Sequence, residues 1–218
     1  IKIGDMVGRK SYNYDVIFEV ISIENNIALL HGKIIRLIAD APLEDLELMD
    51  EERLERESEK EEEVINNVTS QTIKKNRKKY LMGKILHFDG DGRYMRKCLD
   101  LYNKLNIYAI GIELKEKYIP EKILDYVRYL NPDIVVITGH DSFNKTKEEN
   151  MDNYRNSRYF VNAIKKIRQY YPVMNQPIII AGACQSHFEA LIAAGANFAS
   201  SPNRVNIQSL DPAIIAVK

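Results

Sequence analysis

Two side chains stand out by type and position: His140, directly after the run VVITG, and Cys184, directly after IIIAGA. A free thiol has a pKa of about 8.5, and its thiolate is the nucleophile. An imidazole beside it can take the thiol proton and later pass it to a leaving group. A helical pattern begins just after Cys184, and helix N-terminal N–H groups favour a thiolate and could cradle an oxyanion. The backbone N–H of Cys184 is a natural donor to such a hole, with Gly139, Asp141, Gly182 and Gln185 as expected supporting residues. Glycine at 139 and 182 permits a tight turn or a close approach by a ligand. The competing reading is an inert core cysteine, because cysteine is commonly buried. Cys184 and His187 also have Cys-x-x-His spacing, but a structural zinc site needs four ligands and no second cysteine pair accompanies them. No metal or cofactor is expected.

Weaker candidates surround this pair. His87, Asp89 and Asp91 fall in HFDGD, where another strand pattern ends. Acids there could line a pocket for a basic substrate group, polarise His140, or hold Mg²⁺ as in receiver-like folds. A solvated turn built on Gly90 and Gly92 is the plain alternative. Asp141 and Ser142 follow the candidate base and could orient it. Ser200 and Ser201, in SSPNR, are a candidate pocket wall. Cys98 and His31 read as structural. The chain lacks G-x-S-x-G, a P-loop and G-x-G-x-x-G, so serine-hydrolase and dinucleotide readings have no motif support.

The elements that must position these residues form an alternating pattern from residue 81 onward. Strands are expected at Lys84–Phe88, Ile107–Leu114, Asp133–Thr138, Pro177–Ala181, Asn197–Ser200 and Ala213–Val217. Helices are expected after Gly92 through Leu105, and over Ile119–Leu130, Tyr154–Tyr171 and His187–Ala194. Strand–helix alternation with strands apolar on both faces implies a mostly parallel sheet covered by helices on both sides. Ligands bind such sheets at the edge where the strands end. Neighbouring strands lie about 4.8 Å apart, so thiol and imidazole can share one substrate bond if their strands are adjacent.

Residues 1–48 read differently. Segments Asp5–Lys10, Val16–Glu24, Ile27–His31 and Ile34–Ala39 are β-like and separated by Asn25-Asn26 and Gly32-Lys33, which are hairpin signals. A small SH3-like β-barrel is expected there. Residues 49–80 form a charged connector, rich in Glu at its start and in Lys and Arg over 74–79. That polarity suits one long helix, although a partly disordered linker fits as well. Residues 81–218 make the α/β domain.

Composition excludes several classes. The 218 residues hold 31 basic and 31 acidic side chains, so no global charge points to nucleic acid or an anionic membrane. No run approaches the roughly 18 to 20 apolar residues of a membrane span. Two cysteines are too few for a disulfide framework and fit a reducing compartment.

Longer segments carry a resemblance. IGDMVGRKSYNYDVIF, LHFDGD, VVITGHDSFNK, AGACQSHFEALIAAGANFASSP and RVNIQSLDP together resemble the YabG family of sporulation proteases in endospore-forming bacteria. The likeness runs over nearly the whole chain outside the charged connector. It implies a cysteine endopeptidase with Cys184 as nucleophile and His140 as partner, acting on spore coat and cortex-related proteins. It further implies a cytoplasmic enzyme of the sporulating cell that associates with the coat, and a natural carboxyl terminus beyond Lys218. The arrangement is also similar to the caspase, clostripain and gingipain group; His140 precedes Cys184 by 44 residues (184 − 140), near the caspase interval of about 50. That group implies cleavage after a basic residue, most simply Arg, and the basic stretch 74–79, otherwise a solvated connector, is then expected to be a site of self-cleavage. Asp141 stands where the wider group usually has Gly, and Gln185 follows the thiol.

Overall fold

The computed structural model describes residues 1–76, 83–144 and 150–218, with no side-chain description for 73–76. The chain divides into two compact units, Ile1–Asn67 and Val68–Lys218.

The first unit is an antiparallel sheet of β1 (Met6–Arg9), β2 (Phe18–Glu24), β3 (Ile27–Gly32), β4 (Ile38–Pro42) and β5 (Leu46–Leu48). The strand order is β4-β3-β2-β1-β5. Alternating apolar side chains, among them Val7, Phe18, Val20, Ala28 and Leu30, build its core. Asn25 and Asn26 both take positive φ, 49° and 66°, as a tight two-residue hairpin requires. The second break departs from the expected hairpin. A Cβ on Gly32 would collide with the Ile35 carbonyl oxygen. The chain therefore doubles back on Gly32, and β4 starts at Ile38, not at Ile34. β5 was not expected; it pairs with β1 through Val7 and Leu48.

The charged connector is one helix, α1 (Glu51–Asn76), which runs across the boundary between the units. Asp50 accepts the Arg53 N–H at 2.7 Å, and Glu51 and Glu52 occupy the positive end of the helix dipole. Asn66-Asn67 and Thr69-Ser70 do not interrupt it. Residues 77–79, at the heart of the expected cleavage site, lie outside the described residues.

The second unit alternates β6 (Ile85–Asp89), α2 (Gly92–Lys104), β7 (Ala109–Glu113), α3 (Ile119–Leu130), β8 (Ile134–Thr138), α4 (Ser157–Tyr170), β9 (Ile178–Ala181), α5 (Phe188–Ala193), β10 (Phe198–Ala199) and α6 (Asp211–Val217). All its strand pairs are parallel, in the order β10-β9-β8-β6-β7. One face carries Leu86, Phe88, Val135, Ile137 and Ile179 against Ile119 and Ile123 of α3, and Phe160, Ile164 and Ile167 of α4. On the other face α2 packs on β6, and α6 packs on β8 and β9. The expected parallel α/β sheet is therefore present. One element differs: Ala213–Val217, read as a strand, is the helix α6. Five apolar residues in a row fit either period, and the deciding signal is local. Asp211 accepts the Gln208 N–H at 2.8 Å, and Pro212 sits in the first turn, where its missing N–H costs nothing.

The chain leaves β6 for β7 on one side and returns to β8 on the other, so the order reverses between β6 and β8. Such switch points open a crevice at the carboxyl ends of the strands. Among the described residues, no helix is long and apolar enough to cross a membrane.

Gly182 carries the exit from β9 toward Cys184 at φ +117°, a conformation open to glycine but rarely to L side chains. Its Cβ position lies 3.0 Å from Leu191 Cδ1 and 3.1 Å from the Ser200 backbone N. Gly182→Ala is expected to lose about 1–3 kcal/mol in urea denaturation. An unchanged midpoint would show that this turn is not constrained.

Candidate active site at the carboxyl edge of the parallel sheet

β8 and β9 pair in register, with Ile137 opposite Ala181. His140 and Cys184 each follow three residues beyond these partners, on neighbouring strand ends of one sheet edge.

His140 is held at its backbone and at its ring. Its N–H donates to Glu116 Oε1 at 2.7 Å, and its carbonyl accepts from Asn156 Nδ2 at 2.7 Å. The Glu116 carboxylate fills the space over two glycines: a Cβ on Gly139 or on Gly90 would collide with its Oε1. Glycine at these two positions is what lets the carboxylate reach the His140 backbone. The imidazole Nε2 is 2.8 Å from Asp91 Oδ2, and the ring lies 5.8 Å from that of Tyr94. A carboxylate only accepts, so this contact is a hydrogen bond when Nε2 carries a proton.

Cys184 is 3% exposed. Its sulfur accepts the Ile207 N–H at 3.2 Å and lies 3.9 Å from the Ile207 carbonyl. An amide N–H aimed at sulfur favours the thiolate, while burial opposes it. Gln185 takes a left-handed conformation, φ 57°. Its N–H donates to Val205 O and Ser201 Oγ, both at 3.1 Å, and its Oε1 accepts the Phe143 N–H at 3.1 Å. The Gln185 side chain thus ties the cysteine loop to the histidine loop.

Asp141 makes the second tie. Oδ1 accepts the Ser142 N–H at 2.9 Å and the Asn156 N–H at 2.7 Å. Oδ2 accepts the hydroxyls of Ser157 and, at 3.1 Å, Ser186. Those hydroxyls in turn accept the N–H groups of His187 and Ala183, each at 2.9 Å. The residue after His140 therefore fixes the turn on both sides of Cys184. Burial raises the Asp141 pKa above the ordinary carboxylate range in spite of its four donors.

The other candidates separate. Asp91 faces His140. Asp89 is 0% exposed; its Oδ1 accepts the Asp91 N–H at 2.9 Å, and its Oδ2 lies 3.7 Å from His87 Nε2. Ser200 donates its N–H to Ala181 O, and Ser201 is buried with its hydroxyl donating to Val205 O at 2.7 Å. His187 stacks on Tyr154 with 4.7 Å between ring centroids and pairs with Glu189 at 3.2 Å. Among the described residues, no group of three or more His, Cys, Asp and Glu side chains is arranged to hold a metal ion.

A sequence profile described as YabG peptidase U57 matches residues 2–218. This chain belongs to that family. The sporulation-specific protease YabG of Bacillus subtilis (strain 168) is 42% identical over 243 residues, covering 100% of this chain and 84% of the relative. The family expected from GACQSHFE and the segments around it is thereby confirmed.

In this YabG-family chain, sequence reasoning missed Glu116, Asn156, Ser157, Ser186 and Ile207. Asn156-Ser157 and Ser186 are polar residues at helix starts, a visible if unspecific signal. Nothing near Glu116 in the sequence points to a backbone 24 residues away.

The raised pKa of Asp141 has a testable sign. A carboxyl whose folded pKa exceeds its unfolded value of about 3.9 contributes stability that is complete below that value. The contribution is lost as pH rises through the folded pKa. Denaturation of wild type and Asp141→Asn across pH should show the difference shifting toward wild type as pH falls through that range. A difference independent of pH would contradict this.

Proposed function

We propose that this YabG-family chain is a cysteine endopeptidase in which Cys184 is the nucleophile and His140 the general base and then acid. The observation that carries this reading is the pairing of β8 with β9, from which the two reactive side chains leave at equal offsets. The imidazole accepts the thiol proton, and the thiolate attacks the scissile carbonyl carbon. The C–S bond forms as the carbonyl electron pair moves onto oxygen. Collapse of that oxyanion expels the amine, which takes the proton from the imidazolium. Water, deprotonated by His140, then cleaves the thioester and frees the acid. Gly139, Asp141, Gly182 and Gln185 shape the loops in which this happens; the Gln185 N–H is engaged with Val205 and Ser201, and the oxyanion donor we favour is the Cys184 N–H.

The substrates we propose are spore coat and cortex-related proteins, in keeping with the relative's name as a sporulation-specific protease. The enzyme acts in the cytoplasm of the sporulating cell and joins the coat. The α/β unit is of caspase-like character, and the amino-terminal sheet is an SH3-like module. Cleavage follows a basic residue, most simply Arg, and the stretch 74–79 is a site of self-cleavage.

The near-complete burial of Cys184 favours a second reading, a non-catalytic coat-assembly scaffold. A receiver-like Mg²⁺ site has less support, because Asp89 is fully buried and bonded to the Asp91 N–H.

Purified protein incubated with an Arg-containing fluorogenic peptide should cleave it, and Cys184→Ala and His140→Ala should each lower kcat/KM by at least about 10²–10⁴-fold. No cleavage by any of the three proteins would favour the scaffold, and equal measurable rates would overturn the catalytic pair. Preference for acidic or large apolar residues before the cleaved bond would refute the Arg assignment. Intact mass followed over time should show wild type, and not Cys184→Ala, breaking within 74–79; identical masses would remove self-cleavage.

A further inference from the structure

Asp91 uses its two carboxylate oxygens for different tasks. Oδ1 accepts the N–H groups of Arg93 at 2.9 Å and Tyr94 at 3.4 Å, capping α2. Oδ2 lies 2.8 Å from His140 Nε2. The backbone of Asp91 is itself set by the buried Asp89, whose Oδ1 takes its N–H. The side chains of Asp91 and His140 are only 10% and 18% exposed, so water competes little for the contact. Helix cap and turn together aim Oδ2 across the crevice between β6 and β8.

We propose that Asp91 is the positioning residue of the site: it holds His140 as the Nε2–H tautomer, so that Nδ1 is the nitrogen that takes the Cys184 proton. The carboxylate also stabilises the imidazolium formed in that transfer. This rests on the reading of Cys184 and His140 as the catalytic pair. Glu116 and Asp141 do not share the task in this structure. Glu116 accepts the His140 backbone N–H, and Asp141 is bonded to Ser142, Asn156, Ser157 and Ser186.

The plain alternative is that Asp91 is a helix cap and nothing more. Substitution by Asn separates the two, because Asn caps a helix as well as Asp does. To keep both cap hydrogen bonds, the Asn amide must leave its oxygen toward Arg93 and Tyr94. Its NH₂ then faces Nε2, which becomes the acceptor, and the ring proton moves to Nδ1. That is the wrong tautomer for accepting a proton from the thiol.

The test pairs peptide hydrolysis with ¹⁵N NMR of the His140 ring, the latter in the Cys184→Ala background so that self-cleavage does not interfere. Asp91→Asn should melt close to wild type, lower kcat by roughly 10²–10⁴-fold and show Nδ1–H in place of Nε2–H. Asp91→Ser, which caps but lacks the second oxygen, should lose activity to a similar degree. An Nε2–H ring and undiminished turnover in Asp91→Asn, with Cys184→Ala inactive, would overturn the role of Asp91 alone. Turnover that survives in Cys184→Ala would overturn the catalytic pair instead.

Discussion

Two loops from different strands can act on one bond only if something fixes them relative to each other, and here that is the buried carboxylate of Asp141. It accepts two backbone N–H groups through one oxygen and two serine hydroxyls through the other. Each serine passes the constraint to the backbone beside Cys184. Hydrogen bonds to charged groups contribute about 1.5–3 kcal/mol each, and a buried donor without its acceptor costs about 1–3 kcal/mol. The gain is offset by desolvation, which raises the carboxyl's pKa. A network of this kind is costly unless complete, which makes it a strict determinant of geometry.

The rest of the site is arranged around the point where the strand order reverses. The end of β6 supplies Asp91, the end of β8 supplies His140, and the turn after β7 supplies Glu116. Gly90 and Gly139 admit the Glu116 carboxylate between two strand ends, where any Cβ would collide with it. On the far side, β9 supplies Cys184, and residues 205–207 run beside it through the Val205–Gln185 and Ile207–Cys184 contacts. The sulfur is therefore held against the Ile207 backbone and largely screened from solvent.

Much of this was legible because local signals agreed with the fold. Apolar runs without alternation, such as Ile134–Ile137, mark strands covered on both faces, and their glycine-ended exits mark the edge that holds the candidate site. Asn25-Asn26 predicted a hairpin by a mechanism that the positive φ values bear out. Ala213–Val217 misled because an apolar pentad has no period of its own, and only Asp211-Pro212 distinguishes helix from strand. Asp141 and Asp91 were singled out as residues that could orient or polarise His140, but their partners, and the role of Glu116, were hidden for another reason. A carboxylate's partner depends on which backbone approaches it, and here the approach is between residues 15 to 49 positions apart. Sequence spacing carries no record of that.

The central claim is that the sulfur of Cys184 is the atom that forms the covalent bond to substrate, activated by His140. The direct measurement is labelling with an arginyl acyloxymethyl ketone, which alkylates an activated thiolate, followed by tandem mass spectrometry of the digested protein. The account predicts one adduct, on Cys184, that disappears in His140→Ala. A protein that cleaves peptide while the adduct sits on Cys98, or while no cysteine is labelled, would contradict it.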